Sequence, residues 1–131
     1  MSFAESLALL PAGHAWREVV QALAERGPAP LVPSAPWQPK LSQLLLAGDP
    51  ASLVGGQGGA SALSMARAVQ SGLLLMNDDL DASHKLSQDL PDSTGSYWHG
   101  IMHRREPDYG NARYWFRRVG QHPVMPQWAA L

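Results

Sequence analysis

The residues best suited to chemistry lie between positions 97 and 118, in the stretch YWHGIMHRREPDYGNARYWFRR. On a helix through this stretch, His99, His103 and Glu106 fall at i, i+4 and i+7, so they project from one face. Imidazole nitrogens and a carboxylate at this spacing can hold Zn, Fe, Mn or Ni. His84 or Asp92, from the preceding segment, could complete the coordination shell. The pattern therefore predicts a possible site for a divalent metal ion.

The arginines of the same stretch favour a second kind of site, a pocket for an anion. The stretch contains five of the ten Lys and Arg residues of the chain. Arg104, Arg113 and Arg117 could present forked donors to a phosphate or carboxylate, and Trp98 or Trp115 could offer a stacking face. Single-stranded nucleic acid would be a larger version of such a ligand. It is disfavoured, because acidic segments lie nearby and the net charge of the whole chain is −1.

A third interpretation of these residues involves no ligand. His99 and His103 could form hydrogen bonds with aspartates in a packed polar seam. The segment 78–92 is acidic and the segment 104–118 is basic, so the two would partly neutralise each other if they were neighbours. Exposed ion pairs contribute only about 0–1 kcal/mol each, so they would set the register of neighbouring helices more than they would hold the fold.

Several kinds of chemistry are excluded or disfavoured. The chain has no cysteine, which excludes disulfides, thiolate nucleophiles and cysteine-based metal sites. Gly100 follows His99 where a zinc protease of the zincin class has its glutamate base. The sequence GGQGG at 55–59 lacks the Lys-Ser/Thr pair that follows a phosphate-binding loop. No catalytic residue is therefore predicted, and the sequence leaves open whether the protein is an enzyme.

The composition predicts one compact domain over residues 1–131. Hydrophobic residues make up 45% of the chain and charged residues 16%, which is typical of a globular protein. The N-terminus has no basic region before its short apolar run, and nowhere do 18 apolar residues run together. We therefore expect a soluble cytoplasmic protein without a membrane partner.

The periodicity of apolar residues predicts an all-α fold, because no segment alternates for long in the manner of a strand. A proline-rich connector over 27–39 follows the first predicted helix. The region 61–120 should form two helical hairpins, with Asp79 and Asp108 as helix N-caps. The predicted helices span 14–26, 39–47, 61–77, 79–90, 93–106 and 108–120.

Two resemblances concern the second half of the chain. The hairpins can be aligned so that Asp79 lies over Asp108, and DYGNARYWFRR resembles the second helix of a tetratricopeptide or Sel1-type repeat. This resemblance implies stacked helical hairpins. The whole stretch from GLLLMNDDLDASHKLSQ (72–88) to YWFRRVGQHP (114–123) also resembles an uncharacterised family of small proteins that carry H-x-x-x-H-R-R-E-x-D-Y. The second resemblance implies no activity.

These observations lead to two hypotheses. The first is a small helical domain whose polar site binds a divalent metal ion or a small anionic ligand. The second is a non-catalytic interaction or scaffold module, in which the apolar C-terminal segment 124–131 docks on a protein partner or a second copy. The candidate metal ligands are His84, His99, His103 and Glu106, and the candidate anion-binding residues are Trp98, Arg104, Arg113 and Arg117.

Overall fold

A computed structural model describes residues 10–55 and 57–130 of the chain. Those residues form seven α-helices and one 3₁₀ helix and contain no strand, so the predicted all-α class is confirmed. None of these helices combines the length and hydropathy needed to span a bilayer. The helices are α1 (Trp16–Glu25), α2 (Pro39–Ala47), α3 (Gly59–Met76), α4 (Leu80–Ser87), α5 (Ser93–Arg105), α6 (Tyr109–Val119) and α7 (Val124–Ala129), and the 3₁₀ helix is Pro50–Val54.

The main hydrophobic core lies where α1, α2 and α3 meet. Helix α1 contributes Trp16, Val19 and Leu23, whose spacing of three and four residues places them on one face. Leu41 and Leu45 of α2 and Leu74 of α3 complete the cluster, and all three are buried. Each such side chain contributes roughly 1.5–3 kcal/mol when it leaves water, so this core anchors α3, on which the second half of the chain packs.

The second half forms the two predicted hairpins, α3 with α4 and α5 with α6. Aspartates begin three of these helices. The carboxylates of Asp79, Asp92 and Asp108 accept hydrogen bonds from backbone N–H groups three residues later, at 3.1, 2.8 and 3.1 Å. The caps at Asp79 and Asp108 were predicted. Asp92, considered above as a metal ligand, instead caps α5.

Two glycines allow the helices of this half to approach closely. A Cβ atom at Gly72 of α3 would lie 2.7 Å from the indole of Trp98, and one at Gly100 of α5 would lie 3.0 Å from the ring of Phe116. Each glycine therefore accepts an aromatic side chain directly against its backbone. Because α5 contacts α3 on one side and α6 on the other, these two contacts set its position.

The proline-rich connector runs over the turn between α3 and α4. The backbone N–H of Trp37 donates to the carbonyl oxygen of Asn77 at 2.8 Å, and Arg105 donates to the carbonyl oxygen of Pro30 at 2.9 Å. The connector contains no helix before Pro39, where α2 begins, as its prolines predict. It is an ordered strap beside the second half of the chain.

A buried ion pair fixes the turn beneath this strap. Asp78 has a positive φ of 63°, and its carboxylate accepts hydrogen bonds from both Arg26 and Arg105. Burial alone would raise the pKa of Asp78, but the hydrogen bonds from the two guanidinium groups outweigh burial and hold the pKa below its usual range. The clamp thereby joins the end of α1, the α3–α4 turn and the end of α5.

The predicted bounds of α1 and α3 differ from the observed ones by one or two residues, and three features differ more. Helix α4 ends at Ser87 rather than at residue 90. Pro91 disfavours helical backbone at Leu90, which excludes the predicted last residue. The 3₁₀ helix after Asp49 and the short helix α7 were not predicted. The segment before α7 folds back on α5, where His122 hydrogen-bonds with Thr94 at 3.0 Å and stacks on Tyr97. Residue 131 lies outside the described part of the chain.

Candidate metal centre

Three imidazoles converge between α4 and α5. His84 comes from α4, and His99 and His103 come from successive turns of α5. Each residue offers one ring nitrogen, and these three nitrogens all lie within 4.8 Å of one another. The ring centroid of His84 lies 4.6 Å from that of His99 and 5.4 Å from that of His103. The structure therefore brings together the predicted i, i+4 pair and the third histidine from the preceding helix.

Small polar residues allow α4 to approach its neighbours and present His84 to α5. Ser71 of α3 and Ser83 of α4 are both fully buried. The hydroxyl of Ser71 donates to the carbonyl oxygen of Ser83 at 3.0 Å, and the two hydroxyls lie 3.1 Å apart. A serine–serine contact keeps the helices closer than larger side chains would allow, and the residue after Ser83 is His84.

His99 is the most deeply placed of the three histidines. It is 2% exposed, its ring stacks on Trp115 with centroids 3.9 Å apart, and its buried Nδ1 atom has no hydrogen-bond partner. Burial, followed by the nearby rings of His84 and His103, lowers the pKa of His99 to about 4. The ring is therefore neutral at neutral pH, which is the form that binds metals.

Glu106 is bonded to one of the histidines. Its Oε1 atom lies 2.8 Å from Nδ1 of His103. In a neutral imidazole that donates from Nδ1, the Nε2 atom keeps its lone pair and can act as a ligand. A carboxylate in this position fixes the tautomer and the orientation of a metal-binding histidine. Glu106 was predicted as a metal ligand. In the structure it has the position of a group that orients His103.

The cluster is open to solvent on one side. His84 and Glu106 line a cavity of about 310 Å³, which has one wall formed by the strap at Pro33 and Pro36 and another formed by the start of α4. His99 and His103 are buried and do not line this cavity. A small molecule or water could therefore approach the imidazoles from the side of His84.

A second group of possible ligands shares His103 with the first. It consists of His103, Glu106 and Asp108, again with ligand atoms within 4.8 Å of one another. The carboxylate of Asp108 already accepts hydrogen bonds from the backbone and side-chain N–H groups of Asn111, at 3.1 and 2.7 Å, and these lower its pKa. Because Asp108 caps α6 and Glu106 holds His103, the three histidines are the better candidate.

The polar seam considered from the sequence finds little support in these contacts. No aspartate bonds to His99 or His103 within the described residues, and Glu106 is the one carboxylate partner of His103 there. The acidic and basic segments do meet, but in the described chain one ion pair joins them, between Asp78 and Arg105 at 2.5 Å. The histidine cluster therefore is not part of a wider network of charges.

The candidate anion-binding residues do not belong to this centre. Arg104, Arg113 and Arg117 line a separate groove with Tyr109 and Phe116 between α5 and α6. The single polar site expected from the sequence is thus two sites in the structure.

Trp98 corrects the prediction in another way, because it does not line the groove of Arg104, Arg113 and Arg117. It packs on Gly72 and lines an apolar cavity with Ile101. The aromatic residue that stacks on the histidine cluster is Trp115, which the sequence suggested as a core residue or as a stacking face for an anion.

Comparison with protein-family models, with curated proteins and with solved structures finds no match to this chain. The resemblances to helical repeats and to the H-x-x-x-H-R-R-E-x-D-Y family therefore stay predictions.

Proposed function

We propose that this protein binds a divalent transition metal ion through His84, His99 and His103. The observation that carries the proposal is the convergence of three imidazole nitrogens within 4.8 Å of one another, with the buried Nδ1 of His99 lacking any partner. A buried polar atom without a hydrogen bond costs roughly 1–3 kcal/mol. Coordination of a metal by the cluster would give these rings a common partner.

The donor set indicates the class of metal. Three neutral imidazoles without thiolates suit Zn, Fe, Ni or Cu better than Mg or Ca, which prefer oxygen ligands. Nitrogens that share one such ion at 2.0–2.1 Å lie roughly 3.3 Å apart in tetrahedral geometry. Side-chain rotations that move the ring nitrogens by on the order of an ångström would bring them to that spacing.

Three protein ligands would leave one coordination position open, as in catalytic rather than structural zinc sites. His84 and Glu106 place the solvent-facing side of the cluster at the 310 Å³ cavity. A metal ion held in this way supplies a Lewis acid for water or for a substrate oxygen. We infer metal-assisted chemistry on a small molecule that enters through this cavity, with hydrolysis as the reaction that needs the fewest additional groups.

The decisive experiment measures bound metal in protein purified without a histidine tag. We expect about one equivalent by elemental analysis, either as isolated or after reloading with Zn²⁺, Co²⁺, Ni²⁺, Mn²⁺ or Fe²⁺. Reloading with Co²⁺ should give visible absorption bands typical of nitrogen ligation. The variants His84→Ala, His99→Ala and His103→Ala should each lose the metal.

His14→Ala is the matched control, because His14 lies outside the cluster and bonds to Ser52. It should retain the metal. Circular dichroism establishes that each variant is folded. Folded wild-type protein that takes up none of these ions would overturn the proposal, and so would cluster variants that bind as tightly as the wild type.

The alternative function, an interaction module, has one observation in its favour. Leu31 and Val32 of the strap are 81% and 53% exposed, which leaves two neighbouring apolar side chains uncovered. Folded protein that remains metal-free after reloading would favour this alternative over the metal centre.

A further inference from the structure

A groove on the face formed by α5 and α6 has the properties of an independent binding site. It has a volume of about 480 Å³ and lies beside the last turn of α5 and the first two turns of α6. Arg104, Arg113 and Arg117 line it, together with Tyr109 and Phe116. None of the three clustered histidines lines it, so the groove is separate from the proposed metal centre.

The positive charges of this groove have no internal counter-charge. Arg104, Arg113 and Arg117 form no ion pair with a carboxylate in the described part of the chain. Arg113 and Arg117 are one helical turn apart, an arrangement of like charges that destabilises a helix. By contrast, the guanidinium groups of Arg26 and Arg105 are both engaged by Asp78. The groove therefore concentrates guanidinium groups that no carboxylate of the described residues neutralises.

The floor of the groove is apolar and preformed. Ala112 is 3% exposed, and Phe116 lies half-buried against the backbone of Gly100. The guanidinium of Arg104 lies over the ring of Tyr109, 4.8 Å from its centroid, which fixes one wall. A ligand that matches this surface carries its charge on one side and an apolar body on the other.

We propose that this groove binds a small organic anion, namely a carboxylate or phosphate attached to an aromatic or short apolar body. Forked guanidinium donors suit both kinds of anion, because they can give two parallel hydrogen bonds to neighbouring oxygens. Phe116 and Ala112 provide the contact surface for the body of the ligand. The volume of the groove is in the range of sites for small ligands.

The dimensions favour a small molecule over a macromolecule. Tyr109 and Phe116 are seven residues apart on α6, which corresponds to roughly 10 Å. That length accommodates one fused ring system or a short chain. Ala112 is buried and Phe116 is half-buried, so the floor offers little apolar surface to a bilayer. The described residues also offer no strand edge to which an extended peptide could add.

The test uses 2-naphthyl phosphate and 2-naphthoate as probes and neutral 2-naphthol as the uncharged comparison. They are titrated into metal-free protein, and the amide shifts are followed by ¹H–¹⁵N NMR. We expect both anions to shift residues of the groove, with binding that weakens as salt is added. 2-Naphthol should bind at least about tenfold more weakly, the loss expected when charged hydrogen bonds are absent.

Variants locate the site. Arg113→Gln and Arg117→Gln should each weaken binding of the anions about tenfold, whereas Arg113→Lys should lose less because it keeps the charge. Arg67→Gln is the matched control: it removes an exposed arginine of α3 that does not line the groove, and it should bind as the wild type does.

Four results would overturn the proposal. The first is the absence of binding by either anion up to millimolar concentration, and the second is equal binding of 2-naphthol. The third is a set of amide shifts that maps outside the groove or is unaffected by the arginine variants. The last is co-sedimentation with phosphatidylglycerol vesicles in the absence of probe binding, which would assign the face to a membrane surface.

Discussion

The imidazole of His99 stacks on the indole of Trp115, with ring centroids 3.9 Å apart and planes inclined by 21°. This contact joins α5 to α6 and covers one face of the imidazole, while the rings of His84 and His103 lie on other sides of it. Water is thereby excluded from a ring whose Nδ1 atom has no hydrogen bond. The same packing that buries His99 keeps it neutral and available as a ligand.

The burial of His99 predicts a dependence of stability on pH. Its pKa is about 4 in the folded protein and 6.5 in the unfolded chain, so the unfolded chain takes up a proton first as the pH falls. The stabilisation is complete above pH 6.5 and is lost progressively towards pH 4, with a slope of up to about 1.4 kcal/mol per pH unit. Urea denaturation of metal-free protein between pH 4 and pH 6.5 measures the loss in the free energy of unfolding.

His99→Phe is the control, because it retains a ring against Trp115 but cannot titrate. The pH dependence of its free energy of unfolding should lack the contribution of His99. Parallel pH curves for the wild type and His99→Phe would contradict the prediction.

Replacement of Glu106 tests its role as a positioning residue for the metal centre. Glu106→Gln keeps the size of the side chain but removes the negative charge that holds His103, so the metal Kd should rise roughly 10–100-fold. Competition with a chelator of known affinity measures the change. Asp81→Asn removes a charge that lines the same cavity without touching a histidine, and should leave the Kd unchanged. Complete loss of metal in Glu106→Gln would instead identify Glu106 as a direct ligand.

The clamp around Asp78 should contribute strongly to stability. Asp78→Asn preserves the shape of the side chain and tolerates the positive φ, but it leaves the guanidinium groups of Arg26 and Arg105 without their charge partner. We expect a loss of about 3 kcal/mol in the free energy of unfolding, measured by urea denaturation at neutral pH. Asp81→Asn, in the exposed pair with Lys85, should leave the free energy unchanged within error. Equal effects of the two substitutions would show that the clamp is not a stabilising feature.

The close approach of α3 and α5 at Gly72 can be tested with a pair of alanine substitutions. Gly72→Ala should destabilise the protein by about 1–3 kcal/mol, because the new Cβ would lie 2.7 Å from Trp98 and must displace it. Gly110→Ala on α6 meets nothing closer than 3.7 Å and should be neutral or stabilising by up to about 1 kcal/mol. Thermal denaturation compares the two. A stable Gly72→Ala variant would mean that the indole of Trp98 moves at little cost.

The sequence by itself determined the class of the fold and the elements that form it. Apolar residues at spacings of three and four, aspartate caps and proline breaks are local signals, and they predicted the helices to within a few residues. Helix geometry also placed His99 and His103 on one face, because that relationship depends only on the 3.6-residue turn. The short helix α7 and the 3₁₀ helix lay beyond this reasoning, since segments of so few residues carry little periodicity.

Only the tertiary structure decided which side chains meet across helices. The contact between Ser71 of α3 and Ser83 of α4 brings His84 to the two histidines of α5. Gly72 and Gly100 set the position of α5 itself. The same packing turns Trp98 towards α3 and separates the arginine groove from the histidines, although all of these residues crowd one stretch of sequence. Such contacts depend on how closely two helices approach and on how they are rotated about their axes. Both are set by the fit of side chains in the interface, which no local pattern encodes.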